Sequence, residues 1–210
     1  MSPDQKAPKP TTKPPTKRGA ATQSKVIAAG IKCIAEQGLH HTSTNKIAKA
    51  AGVTWGTLQH QFGDKASLLE AILEYCFNEQ MQQLAQATVA KNTLEQRIEA
   101  IIDAIWENQQ SLSSRAMQEI LLGVQGDKVF SQRTYPTLKK LRDLYNQQWQ
   151  SFFADVDLSE RQMEASKQFA FATLRGLTFD YSVRSSHQSV DDAKQLLNQA
   201  LLAIFTSNKR

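Results

Sequence analysis

At 210 residues, with 40% apolar and 21% charged side chains, the chain can hold one large domain or two small ones with real cores. No stretch reaches the roughly 18 uncharged apolar residues of a membrane helix, and the opening Met1-Ser2-Pro3-Asp4 lacks the apolar run of a secretory signal, so the expected compartment is the cytoplasm. The net charge of +5 is uneven: residues 1–65 hold ten Lys or Arg against Asp4, Glu36 and Asp64, giving +7 there and −2 in the rest, which suits either a polyanionic partner for one part of the molecule or a basic tail that only aids solubility.

Five of the six prolines fall within residues 1–15, a stretch with almost no large apolar residue. It cannot bury enough surface to offset the entropy of ordering, so residues 1–20 are expected to form a disordered basic tail. Val26, Ile27, Ile31 and Ile34 then fall on one helical face, and the pattern stops at Gly38. Thr42, Ser43 and Thr44 offer cap oxygens for a short helix carrying Ile47, Ala48 and Ala51, ended by Gly52. Thr54 caps a third helix running to about Phe62. Asp64 caps a long fourth one with Leu68, Leu69, Ile72, Leu73, Cys76 and Phe77. Later helices are expected over about 94–106, 112–124, 134–154, 159–185 and 190–206, with a turn at Gly123 and Gly126. No segment alternates as a strand does.

Cys33 and Cys76 lie far apart on apolar helical faces and read as buried reduced thiols. The histidines, His40, His41, His60 and His187, form no metal set by spacing, and no catalytic Ser/His/Asp order or Gly-rich phosphate loop appears. Neither a cofactor, a metal nor an enzymatic activity is expected.

Residues 44–62 read as two short helices around a tight turn, a helix-turn-helix. Such a unit needs a small residue where the helices cross (Ala48), a glycine able to turn left-handed (Gly52), and a shared core (Ile47, Val53, Leu58) that sets their angle. The second helix can then enter the major groove with its N-terminal side chains toward base edges. That spacing is moderately specific, because a plain helical hairpin can produce it.

Over residues 22–77 the chain resembles the DNA-binding domain of the TetR family of repressors. The resemblance rests on Glu36-Gln37-Gly38, Thr42-Ser43-Thr44, Ile47-Ala48 and Ala51-Gly52-Val53. It continues through Gly56-Thr57-Leu58, His60, Phe62, Asp64-Lys65 and Leu68-Leu69. It implies an all-α fold in which residues 21–67 are a three-helix DNA-binding domain and residues 68–210 a larger helical domain for ligand binding and dimerisation. Ser43 and Thr44 would then hold phosphate at a helix start. Thr54, Trp55 and Thr57 would head the recognition helix, and Gln59 could read adenine. His60 and Lys65 match phosphate-holding positions. Taken alone, Trp55 could equally be a surface aromatic, Thr54 only a cap, and His60 a packing residue. The chain departs from the family at Gln59, where an aromatic is usual, and at Gln61. The basic run Lys6–Arg18 could follow an adjacent minor groove, or stay a solvated tail.

The resemblance further implies a homodimer on a palindromic double-stranded operator. Phe169, Thr173, Leu177, Leu197, Leu201 and Ile204 are the candidates for the apolar seam between subunits. A small apolar or aromatic effector would sit in the second domain, against Trp106, Met117, Gln118, Tyr145, Gln148, Trp149, Phe169 and Arg175, although each of these could be plain core. The expected function is a ligand-responsive transcriptional regulator, by family habit a repressor. The alternatives are an architectural DNA-binding protein without an inducer, or a helical enzyme or carrier with a vestigial helix-turn-helix.

Overall fold

A computed structural model describes residues 17–89, 93–184 and 187–207. Nine helices and no strand occur among them: α1 (Lys17–Gln37), α2 (Thr44–Ala51), α3 (Trp55–Phe62), α4 (Lys65–Thr88), α5 (Leu94–Gln109), α6 (Leu112–Gly126), α7 (Lys128–Phe152), α8 (Glu160–Arg184) and α9 (His187–Thr206).

The caps fall where the sequence places them. Ser43, Thr54 and Asp64 accept from the backbone N–H groups of Lys46, Thr57 and Ser67 at 3.3, 3.1 and 2.9 Å, which satisfies donors that a helix start leaves free. At the turn between α2 and α3, Gly52 sits at φ 67°, and its N–H and that of Val53 close back on Lys49 and Ala48. A side chain at that φ would be strained, which is why the turn needs glycine. The buried Thr42 hydroxyl donates to the carbonyls of Gly38 and Cys33, tying the α1–α2 loop to the end of α1.

Two apolar cores run through the molecule. The first joins Val26, Ile31 and Ile34 of α1 with Ile47, Leu58 and Phe62, with Leu68 to Phe77 of α4, and with Ala116, Ile120 and Val124 of α6. The second joins Leu84, the isoleucines of α5, Trp149 of α7 and Phe153 just after it, and Leu174, Leu197, Leu201 and Phe205 of α8 and α9. Helix α4 contributes to both, so the division expected at residues 67 and 68 falls in the first turn of a helix that the two parts share.

Three expectations about the elements change. Helix α1 begins at Lys17, inside the segment expected to lack structure. Its first turn is held by Gln61 of α3, whose side-chain amide donates to the Gly19 carbonyl at 3.2 Å. Residues 1–16 lie outside the described residues. Helix α7 begins at Lys128 rather than near 134 and carries Pro136 internally. Asp127 caps it by accepting from Val129 and Phe130, and Pro136 is in only its third turn. Gly123 lies inside α6 instead of in a turn. A Cβ there would collide with the Leu39 side chain, so the glycine lets α6 press against the α1–α2 loop.

Candidate nucleic-acid interface and ligand cavity

Helix α3 has two faces. Leu58 and Phe62 point into the first core, while Thr54, Trp55, Gly56, Gln59 and His60 are exposed, Trp55 by 50%. Thr57 is half-buried and its hydroxyl pairs with that of Thr54 at 2.8 Å. The first turn of α3 therefore presents hydroxyl, indole and amide groups outward from a helix whose other face is locked by packing. Ser43 is exposed at the start of α2 and Thr44 is half-buried beside it. Lys65, half-buried at the start of α4, has its ammonium pKa lowered by burial. Of the eight predicted residues, Ser43, Thr54, Trp55, Gln59 and His60 are thus exposed, and Thr44, Thr57 and Lys65 are half-buried beside them. Gln61 turns instead to α1, as described above. The side chains of the basic run up to Arg18 lie outside the described residues.

Around this head, few acidic groups compete. Lys25 and Lys32 on α1 and Lys46 and Lys49 on α2 are all exposed. Asp64 is tied up by Arg133 of α7, whose guanidinium reaches its carboxylate and the Ser67 hydroxyl, each at 2.6 Å. That ion pair holds the Asp64 carboxyl below its ordinary range.

A cavity of about 390 Å³, open to the surface on one side, lies between α4, α6, α7 and α8, beside the end of α5. Leu73, Phe77, Met117, Leu121, Leu138 and Phe171 supply an apolar wall; Gln80, Gln109, Tyr145, Arg142, Lys167 and Arg175 supply polar groups. Of the expected ligand residues, Met117, Tyr145 and Arg175 line this cavity. The other five do not. Trp106 packs edge-on against Tyr181, with ring centroids 5.8 Å apart. Gln118 stands behind the wall and donates to Gln109 Oε1 at 3.0 Å. Gln148 bonds to Ser151, and the Trp149 indole donates to the buried Ser166 hydroxyl at 3.0 Å. Phe169 is exposed. On α7, Trp149 shares the face of 138, 141, 142 and 145 but lies a turn beyond them, where it packs into the second core; on α8, Phe169 is rotated away from the face of 168, 171 and 175. Sequence reading did not pick out Gln80, Gln109, Arg142 and Lys167. A polar residue within an apolar helical face, as Gln80 is between Phe77 and Leu84, was the available signal.

The seam residues also divide. Leu197 and Leu201 are 2% and 1% exposed and belong to the second core. Thr173 and Leu177 are half-buried, and only Phe169 and Ile204 are exposed. The exposed stripe of α8 is Ala165, Phe169, Ala172, Gly176, Phe179 and Val183, spaced by alternating fours and threes, with Phe179 75% and Val183 72% exposed. Leu196 of α9 is 66% exposed.

Cys33 and Cys76 are buried and unpaired, and burial pushes the Cys76 thiol up to about 12. Among the described residues no three His, Cys, Asp or Glu side chains gather as a metal site, and no helix is long and apolar enough to cross a membrane.

Residues 26–72, spanning the head and the first turns of α4, match the family described as bacterial regulatory proteins, tetR family. Over those residues the chain is similar to the DNA-binding domain of the TetR family. Among relatives, the HTH-type transcriptional regulator BetI of Yersinia pestis (strain Pestoides F) is 33% identical over 98 residues, covering 46% of this chain and 49% of BetI. The chain thus spans about half the length of the first curated relatives it matches. The HTH-type transcriptional regulator CymR of Pseudomonas putida is 24% identical over 93% of this chain and 94% of CymR. Among solved structures, NalD, the secondary repressor of the MexAB-OprM multidrug efflux pump in Pseudomonas aeruginosa, matches with a TM-score of 0.63 at 15% identity. That match covers 92% of this chain and 100% of NalD, and it extends the likeness in fold to the second domain.

Proposed function

We propose that this protein is a ligand-responsive transcriptional regulator of the cytoplasm that binds a palindromic operator in double-stranded DNA as a homodimer. The observation that carries the reading is the two-faced α3: its first turn offers Thr54, Trp55, Gln59 and His60 outward while Leu58 and Phe62 anchor it rigidly. A side-chain set held this way suits base edges and phosphates in a major groove. Ser43, Thr44, Thr57 and Lys65 flank it as phosphate and positioning contacts.

One helix-turn-helix covers too little DNA for tight specific binding, so two are needed about one duplex turn, roughly 34 Å, apart. The heptad-spaced apolar stripe of α8, with Leu196 of α9 beside it, is the surface for the partner subunit. Small residues at 165, 172 and 176 allow close helix approach there. The cavity is the effector site. It reaches the head through α6, where Glu119 accepts the Leu39 N–H at 3.2 Å, and through α7, where Arg133 holds Asp64. An effector that binds better when these contacts tilt the heads out of register would release the operator.

Selection of bound sequences from a random double-stranded pool tests the reading. A palindromic consensus is expected, with Trp55→Ala losing it and Phe179→Glu giving a monomer that binds at least 100-fold more weakly. Retained DNA affinity without any consensus would make the protein an architectural binder instead.

A further inference from the structure

The polar groups around the cavity are three cations, Arg142, Lys167 and Arg175, with the Tyr145 hydroxyl and the side-chain amides of Gln80, Gln109 and Gln168. Gln80 is 1% exposed. Its Oε1 accepts the Tyr145 hydroxyl, and its Nε2 is a buried donor with no partner. Gln109 Oε1 is already used twice, by Ser114 at 3.1 Å and Gln118 at 3.0 Å. Tyr145 spends its hydrogen on Gln80, and burial holds its phenol neutral. Lys167, 8% exposed, donates to Asn146 with one of its three hydrogens. Arg142 meets its neighbour Asp143 at 3.9 Å, and Arg175 stands at the mouth of the cavity near Tyr145. No Asp or Glu lines the cavity. The nearest carboxylate acting on Lys167 belongs to Glu164, which lines the adjoining recess beside Trp149 rather than this one.

An unpartnered buried donor costs stability, commonly about 1–3 kcal/mol, and such a group persists where something else completes it. Three cations around a largely apolar chamber likewise leave positive potential for an anion to neutralise. We propose that the effector is a small apolar monocarboxylate, whose carboxylate accepts from Gln80 Nε2 and meets Arg175 and Lys167 while its hydrocarbon body lies against Phe77, Met117 and Phe171. The volume of about 390 Å³ is near the lower end for small-molecule sites, roughly 300–1,000 Å³, and so suits a compact acid. This rests on the reading of the cavity as the effector site and sharpens it: a neutral hydrocarbon would leave the donor and the cations unmet, and an organic cation would be repelled.

Isothermal titration of the full chain with 4-phenylbutyrate and octanoate, beside 4-phenylbutyramide, octanamide and octylamine, tests it; the two acids separate an aromatic from an aliphatic body. Saturable binding of at least one acid is expected, with its amide at least tenfold weaker and the amine without binding. Arg175→Gln, an exposed change that leaves the fold intact, is expected to weaken the acid at least fivefold and to leave the amide unchanged. Equal or tighter binding of amide or amine, absence of acid binding, or an Arg175→Gln variant that keeps full preference for the acid overturns the proposal. Operator binding is measured in the same preparation. Operator binding without acid binding sinks only the ligand class, whereas acid binding without operator binding sinks the regulatory reading and leaves the cavity chemistry standing.

Discussion

The head and the body of this molecule fill their interiors differently. Among the described side chains of α1 to α3 and the loops between them, those buried are apolar with one exception, Thr42, whose hydroxyl donates to two carbonyls. In the body, Gln80, Asn108, Gln109, Ser113, Ser114, Thr134, Ser166 and Lys167 are all buried. A part that must hold one helix at a fixed angle gains from a dry, unique packing. A part that encloses a ligand keeps polar groups inside and accepts a looser, costlier interior around a cavity. The contrast leaves the head a dry packing and the body a cavity with polar walls.

The largest expected effect lies in the head. Leu58→Ala removes a fully buried side chain where α3 meets α1 and α4, and should cost about 2–5 kcal/mol, read as a lowered denaturation midpoint. A cost below 1 kcal/mol would mean the head is not tightly packed. Thr54→Ala removes the α3 cap and should cost about 1 kcal/mol, with DNA affinity falling further than stability does. Loss of stability alone would reduce Thr54 to a cap.

Smaller effects sharpen the border between the regions. Pairing with Arg133 depresses the folded-state pKa of Asp64, so its stabilisation is present above the unfolded value. It is lost as pH falls from about 4 through the folded value. The pair is exposed, so Arg133→Ala should cost less than about 1 kcal/mol at neutral pH and nothing once Asp64 is protonated. A cost that persists in acid would assign Arg133 a packing role. The smallest stability effect is expected inside the body. Lys167→Met removes a desolvated ammonium whose pKa burial lowers. Stability in the parent should therefore rise as pH climbs through the depressed folded-state value toward the unfolded one, and the variant should lack that rise and melt no lower than the parent at pH 7. A drop of several degrees would erase the contrast with Leu58→Ala.

The head was readable almost residue by residue because its determinants are local. Ser43, Thr54 and Asp64 act within three residues of themselves, and Gly52 answers to its own φ. The helix faces of Ile47, Leu58 and Leu68 follow from a period of 3.6 residues. The outward placement of Trp55, Gln59 and His60 is the complement of that same period. The body was readable as helices but not as a site. Leu197 and Leu201 look like seam residues in sequence, because apolar spacing marks a buried face without saying which neighbour buries it. Spacing likewise does not say that Trp149 packs into the second core and Phe169 faces outward, both away from the cavity.

Sequence alone determined that the chain is helical, where most helices start and stop, and which short segment is a helix-turn-helix, since each depends on neighbours within a turn or two. Tertiary structure decided which α8 face meets α9 and which stays open. It also decided that Gln80 of α4 and the α8 residues Lys167 and Arg175, some ninety residues away in the chain, surround one chamber. Those outcomes depend on how helices cross and rotate against one another, and such angles arise from the summed packing of whole faces rather than from any local pattern.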